Sequence, residues 1–203
     1  NVRSARRFLK KIDKSIDIDS LTFYELSEHT DERAPETARL LEPLEQGQSM
    51  GVLSEAGCPA VADPGSLAVA LAQKKDLPVI PLVGPSSMIL AVMASGLNGQ
   101  NFAFNGYLPV KPAERASKIR ALEARAYKES QTQLFIETPY RNEKMIDSLL
   151  RTLRGDTRLC IAAGLTTADE YVKTKTCAQW KKLLAEKKLP DLSKVPAIFL
   201  IYK

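Results

Sequence analysis

Hydrophobic positions along this chain change spacing several times, and each change marks an element. Residues 2 to 11 read as a helix with Phe8 apolar among arginines, and residues 34 to 46 as a second helix closed by Gly47. SMGVLS (49 to 54) is then a short apolar run ending in a turn, the pattern of a buried parallel strand. Pro64 and Gly65 precede SLAVALAQKK, where Leu67, Val69, Ala70 and Leu71 suit a helix packed on a sheet. DLPVIPLVG (76 to 84) predicts another strand, and Pro85-Ser86-Ser87 opens a helix running to Gly96. Strand, loop and helix twice over imply parallel strands joined by right-handed crossovers.

SGLNGQN (95 to 101) concentrates Gly and Asn and is the best linker, after which the pattern restarts. NFAFNGYL reads as a strand, residues 113 to 128 as a basic helix, QTQLFIET as a strand and residues 141 to 154 as a helix closed by Gly155. TRLCIAAGL, EYVKTKT, a helix from Cys177 to Lys188 and the strand PAIFLIY complete the series. The fold class is therefore α/β, with an N-terminal domain over 1–98 and a C-terminal domain over 99–203. An α/β domain usually opens on a strand, whereas this chain opens on a basic helix. The first domain is thus expected to be partial, its N-terminal strand missing.

Composition narrows the class. The 203 residues are 44% hydrophobic and 26% charged, enough to bury a core. No apolar run of about eighteen residues occurs and NVRSARRFLKK lacks a signal peptide's apolar centre, so no membrane association and a cytoplasmic location are expected. Cys58, Cys160 and Cys177 show neither paired spacing nor Cys/His ligand spacing, which predicts reduced structural thiols and no metal. Lys and Arg (29) exceed Asp and Glu (24), giving +5. The basic residues cluster at Arg3, Arg6, Arg7, Lys10, Lys11 and Lys14, and again at Lys111, Arg115, Lys118, Arg120, Arg125 and Lys128. Such faces either are simply solvated or attract phosphate backbones.

In open parallel sheets, ligands sit beyond the carboxyl ends of strands, where helix N-termini present free N–H groups. SEAGCPAVADPG and GPSS occupy such positions. Gly57 lets a ligand approach the backbone, and Pro59 and Pro64 stiffen the loop, so little entropy is lost on binding. Neither segment is a phosphate loop or a dinucleotide fingerprint. A stiff turn packed between helices fits these local features equally well.

The order of motifs carries more. LSEAGCPAVADPG resembles the SDAGTPxISDPG signature of the ribosomal RNA branch of the tetrapyrrole methylase family, and VIPLVGPSSMILAVMASGL resembles its IPGPSAxxxALxxSGL. NVRSARRFL is similar to DTRxTRxLL, SEHTDERAPE to HEHNERERxPE, and FIETPYR to FYESPHR; NGYLP and LCIAAGLTTADEYV extend the likeness over nearly the whole chain. The resemblance implies two α/β domains with a cleft between them for S-adenosylmethionine, and a homodimer. It places Ala56, Gly57, Cys58, Val61, Ser86, Ser87, Glu137 and Thr138 around the cofactor, mostly through backbone atoms, and Arg3 and Arg141 toward the substrate, Arg141 by holding a carboxylate or phosphate.

A sulfonium methyl is already activated, so transfer needs an acceptor aligned with it and water excluded. A ribose hydroxyl acceptor would also gain from a base, for which Glu55 in the loop and His29, the sole histidine, are the candidates. The implied activity is ribose 2'-O-methylation of small-subunit ribosomal RNA, with ribosomal RNA or the small subunit as partner. Two departures keep other readings open. Ala163-Gly164-Leu165-Thr166 stands where the RNA branch has RELT, and Asn1-Val2-Arg3 replaces its DTR. The alternatives are methylation of a tetrapyrrole or other small molecule, and a non-catalytic RNA-binding module on the same fold.

Overall fold

In the computed structural model, which describes residues 1–27, 30, 37 and 39–203, Asn1 caps the first helix. Its Oδ1 accepts from the N–H groups of Arg3 (2.9 Å) and Ser4 (3.4 Å). That cap, with the cations Lys10 and Lys11 in the last turn, favours α1 (Val2–Ile12) in so charged a segment. The chain divides into two compact units, Asn1–Pro85 and Ser86–Lys203. The division falls before the helix at 87–95, upstream of the 98/99 boundary read from the sequence.

The first unit adds a 3₁₀ turn (Ile18–Ser20), α2 (Glu42–Glu45) and α3 (Ser66–Lys74). A small core of Leu40, Leu41, Ala68 and Ala72 is flanked by Leu26, Leu44, Met50, Leu71 and Leu77. Of the helix expected over 34–46, α2 and a helical Thr37 are seen, with a turn at 39–41 between them; residues 34–36 and 38 lie outside the described residues.

The strands expected at 49–54 and 76–84 are not formed. Among the described residues of this unit the backbone joins no ladder, and Leu82 and Val83 are 88% and 106% exposed. An apolar run marks a segment that could be a strand, but only a neighbouring strand supplies the hydrogen bonds that make it one.

The second unit carries the sheet. It runs α4 (Ser87–Ser95), β1 (Phe102–Tyr107), α5 (Pro112–Glu129), β2 (Thr132–Glu137), a 3₁₀ turn (Pro139–Arg141), α6 (Asn142–Thr152), β3 (Arg158–Ala163), β4 (Tyr171–Thr176), α7 (Cys177–Ala185) and β5 (Ala197–Tyr202). All five strands fall where the sequence pattern puts them. Their order is β1-β2-β5-β3-β4; only the β1–β2 pair is parallel, and the others are antiparallel. The whole is a mixed α/β fold.

Alternation along the strands divides the sheet between two cores. Phe135, Leu159, Ile161, Phe199 and Ile201 face the larger one, with Ile119 and Leu122 of α5, Met145 and Leu149 of α6 and Trp180 of α7. Phe135 and Phe199 are register partners whose rings stack at 5.8 Å. Leu134, Cys160, Ala162, Ile198 and Leu200 face the other side, which Ala91, Met88 and Val92 of α4 cover. α4 is apolar all round and ends on Gly96 at φ 66°, a left-handed cap. The Gly/Asn segment that follows it is tethered inside this unit: Asn98 Nδ2 donates to the Ser130 carbonyl at 2.7 Å and Asn101 Nδ2 to that of Glu129 at 3.0 Å.

Two thiols are buried. Desolvation, then the negative charge of Glu123, pushes Cys177 up to about 12, and burial raises Cys160 as well. Among the described residues no helix is long and apolar enough to cross a membrane.

Candidate cofactor and substrate sites

The loop from Leu53 to Gly65 closes on itself through side chains that lie within it. Ser54 Oγ donates to the Asp63 carboxylate and accepts from the Ala56 N–H at 3.2 Å. Inside this clamp the Ala60 N–H donates to the Pro64 carbonyl (3.3 Å) and the Val61 N–H to that of Cys58 (3.2 Å). Four residues of the loop have positive φ: Gly57 (75°), Ala60 (65°), Ala62 (56°) and Gly65 (129°). Two alanines in the left-handed region cost energy that the closed hydrogen-bond set must offset, so the loop is ordered by design of its own sequence.

The two glycines do different work. A Cβ on Gly65 would meet Val52 Cγ1 at 3.1 Å and the Ala60 nitrogen at 3.2 Å, so this position is shut against any side chain. A Cβ on Gly57 would meet nothing within 4 Å, so the backbone there is open to an incoming group. Ala56, Gly57 and Val61 are exposed, and Cys58 is half-buried with its thiol 3.7 Å from the Pro85 carbonyl. An open backbone edge on a preordered loop fits a ligand held through main-chain atoms.

Glu55 stands beside this edge. It is exposed, and the hydroxyl of Ser4 on α1 donates to its carboxylate, which holds that carboxyl below the usual carboxylate range. It is therefore ionised at neutral pH, and the same hydrogen bond makes it a weaker proton acceptor than a free glutamate. His29, the other candidate base, lies outside the described residues. Arg3 is exposed on α1.

In the second unit, Ser86 caps α4 without a side-chain hydrogen bond, and Ser87 is exposed at its first turn. Glu137 and Ala163 both pair with Ala197, so the carboxyl ends of β2 and β3 emerge together. Glu137 is buried there. Its Oε1 accepts from the Thr138 N–H (2.7 Å), from Thr138 Oγ1 (3.2 Å) and from Arg141 Nε (2.9 Å) and Nη2 (2.5 Å). Arg141 does hold a carboxylate, that of Glu137, through Nε and Nη2. Its remaining face lies 5.9 Å from the Tyr140 ring.

Sequence reasoning missed Ser54 and Asp63, whose roles rest on a contact across the loop, and it missed Asn142. That side chain is fully buried at the start of α6 and donates to the carbonyls of Leu192 (2.9 Å) and Val195 (2.8 Å), pinning the segment that enters β5. The neighbouring Gly164 N–H donates to the Pro196 carbonyl at 3.0 Å. Gly164 has φ 59°, and a Cβ there would press on Thr167, Asp169 and Val195 at 3.1–3.2 Å. In Ala163-Gly164-Leu165-Thr166, then, the glycine is required by the backbone. Arg115, grouped above with a basic face, is buried; its Nε donates to Ser148 Oγ and its Nη1 to the Val110 carbonyl.

Residues 3–180 match the family of Tetrapyrrole (Corrin/Porphyrin) Methylases, and the chain belongs to it. It is 36% identical over 138 residues to the Ribosomal RNA small subunit methyltransferase I of Mesorhizobium japonicum, covering 68% of this chain and 46% of that protein. To the protein of the same name in Vibrio cholerae it is 31% identical over 180 residues, covering 89% of this chain and 60% of that one. The chain thus spans about half the length of the curated relatives it matches. Its fold is similar to that of the methyltransferase CobJ, with a TM-score of 0.52 at 17% identity over 86% of this chain and 73% of the other.

Proposed function

We propose that this protein is an S-adenosylmethionine-dependent methyltransferase that methylates a ribose 2'-hydroxyl of small-subunit ribosomal RNA. The observation that carries the reading is its likeness to relatives named as small-subunit ribosomal RNA methyltransferases, at 36% and 31% identity. The closed loop at 53–65 supports it, because an open Gly57 backbone on a rigid frame suits a cofactor bound by main-chain contacts. Ala56, Gly57, Cys58 and Val61 are the proposed cofactor residues of the first unit, and Ser86, Ser87, Glu137 and Thr138 those of the second.

Bound S-adenosylmethionine supplies an activated methyl group. The protein must then hold the cofactor, orient the hydroxyl, exclude water and take up its proton. Glu55, ionised and exposed beside the loop, is the proposed proton acceptor; His29 is the second candidate. Arg3 and Arg141 are the proposed substrate contacts, Arg141 from a guanidinium that also holds Glu137. The working form is proposed to be a cytoplasmic homodimer, which light scattering and cell fractionation would check.

The test uses full-length protein with methyl-tritiated S-adenosylmethionine and small subunits from cells lacking its gene. Label is expected in a 2'-O-methylnucleoside after digestion of the RNA. Label in a tetrapyrrole and none in RNA would replace this reading with small-molecule methylation.

A further inference from the structure

We infer that the outer face of α1 is a binding surface for the phosphate backbone of single-stranded RNA; this rests on the ribosomal RNA reading above. At 100° per residue, Lys10, Arg3, Arg7 and Lys11 fall within an arc of about 100° on one side of the helix. Arg3, Arg7, Lys10 and Lys11 are all exposed, and no acidic residue occurs between Val2 and Ile12. The opposite side, Val2, Ala5 and Leu9, is turned inward and half-buried.

The other arginine of the helix shows what sets the stripe apart. Arg6 is spent within the protein: it pairs with Asp19, reaches the Ile18 carbonyl and lies 5.6 Å over the Phe23 ring. Lys10 uses one of its three donors on the Lys14 carbonyl at 2.9 Å, which steadies its ammonium at the helix end. The acids nearest the helix have partners outside the stripe, Asp19 at Arg6, Glu55 at Ser4 and Glu25 beside Asn1, while Asp13, bonded to Ser15, closes the helix end near Lys10.

Helical rise puts Arg3, Arg7 and Lys11 about 6 Å apart in succession, close to the separation of consecutive phosphates along an extended strand. Charge of one sign at that interval suits a polyanion. An aromatic completes the surface: Phe8, next to Arg7 and one turn from Lys11, is 54% exposed, as is Ile12 one turn on at 63%, whereas Val2, Ala5 and Leu9 turn inward. A phenylalanine held in water beside a row of cations offers a face on which an unpaired base can stack.

The measurement is binding of full-length protein to a small-subunit ribosomal RNA transcript and to poly(U), titrated from low to moderate salt. The Arg7→Gln/Lys11→Gln double variant is expected to weaken both complexes. It should also reduce the slope of log affinity against log salt by about 1.5, as the loss of two single-strand phosphate contacts requires. Phe8→Ala is expected to weaken binding about tenfold with the slope unchanged, the mark of lost stacking. Unchanged slope and affinity in the double variant would overturn the inference, as would loss of binding to anionic phosphatidylserine vesicles with RNA binding intact. Circular dichroism of each variant verifies that α1 is retained. Methyl transfer to the same transcript by the parent protein separates the two failures: transfer with an unchanged slope sinks only this inference, and no RNA methylation at all sinks the reading on which it rests.

Discussion

Arg141 closes on Glu137 through two nitrogens of one guanidinium, at 2.9 and 2.5 Å from the same oxygen, with the carboxylate side chain 1% exposed and the arginine 21%. The pair welds the end of β2 to the turn that starts α6. Removing the cation leaves a carboxylate buried without its partner. Arg141→Met is therefore expected to destabilise the protein by about 3 kcal/mol in urea unfolding, and Glu137→Gln to cost less, because the neutral amide needs no counter-charge. Equal losses in the two variants would contradict the assignment.

The clamp between Ser54 and Asp63 predicts a change in binding with little change in stability. Both groups are consumed within the loop, and Asp63→Ala releases the 54–63 closure without touching the open Gly57 edge. Calorimetry is expected to show a dissociation constant for S-adenosylmethionine raised about tenfold, in line with one lost hydrogen bond of about 1.4 kcal/mol, and a melting temperature within a degree or two of the parent.

Gly65 allows a sharper version of the same test. At φ 129° with Val52 and Ala60 at 3.1–3.2 Å from any Cβ, Gly65→Ala must shift the loop. The variant is expected to lose at least tenfold in cofactor affinity, whereas Gly155→Ala, with only Ala178 Cβ at 3.8 Å, leaves it unchanged.

Trp180 is the sole tryptophan, fully buried, and its indole N–H donates to the Leu159 carbonyl at 2.8 Å. Its fluorescence therefore reports unfolding of the second unit. Trp180→Phe should cost about 2–3 kcal/mol, combining a cavity with an unpaired carbonyl.

The thiols make a pH prediction. Cys177 ionises near 9.0 when unfolded and is pushed up to about 12 when folded, so the folded state keeps a proton that the unfolded state gives up. That stabilisation is complete below pH 9 and is lost as pH rises from 9 toward 12. Serine has no thiol to ionise in this range, so Cys177→Ser is expected to flatten the alkaline decline in urea midpoint. At pH 8 in native protein, maleimide should label half-buried Cys58 and spare Cys160 and Cys177.

Where the sequence was legible, local chemistry decided the outcome. The Asn1 cap, the Thr176/Gln179 capping box and the left-handed Gly96 mark their helix ends from nearby residues alone. The strands of the second unit are β-rich runs that find partners. Segments 49–54 and 76–84 have the same apolar signature and no ladder, because pairing is a property of the neighbour. Side-chain destinations were equally hidden: Arg115 and Arg141 look like surface cations in sequence, yet Ser148 and Glu137 claim them from 33 and 4 residues away. In the candidate site, the glycines and prolines of LSEAGCPAVADPG were readable as a stiff loop, whereas the Ser54–Asp63 contact that closes it required coordinates.

The central claim is that loop 53–65 holds S-adenosylmethionine for methyl transfer to small-subunit ribosomal RNA. Calorimetric titration of full-length protein with S-adenosylmethionine, paired with tritium transfer to small subunits from cells lacking its gene, addresses it most directly. The account predicts one cofactor per chain, binding weakened by Gly65→Ala, and label in a ribose 2'-O-methylnucleoside. Saturable cofactor binding indifferent to Gly65→Ala, with no label in RNA, would contradict it.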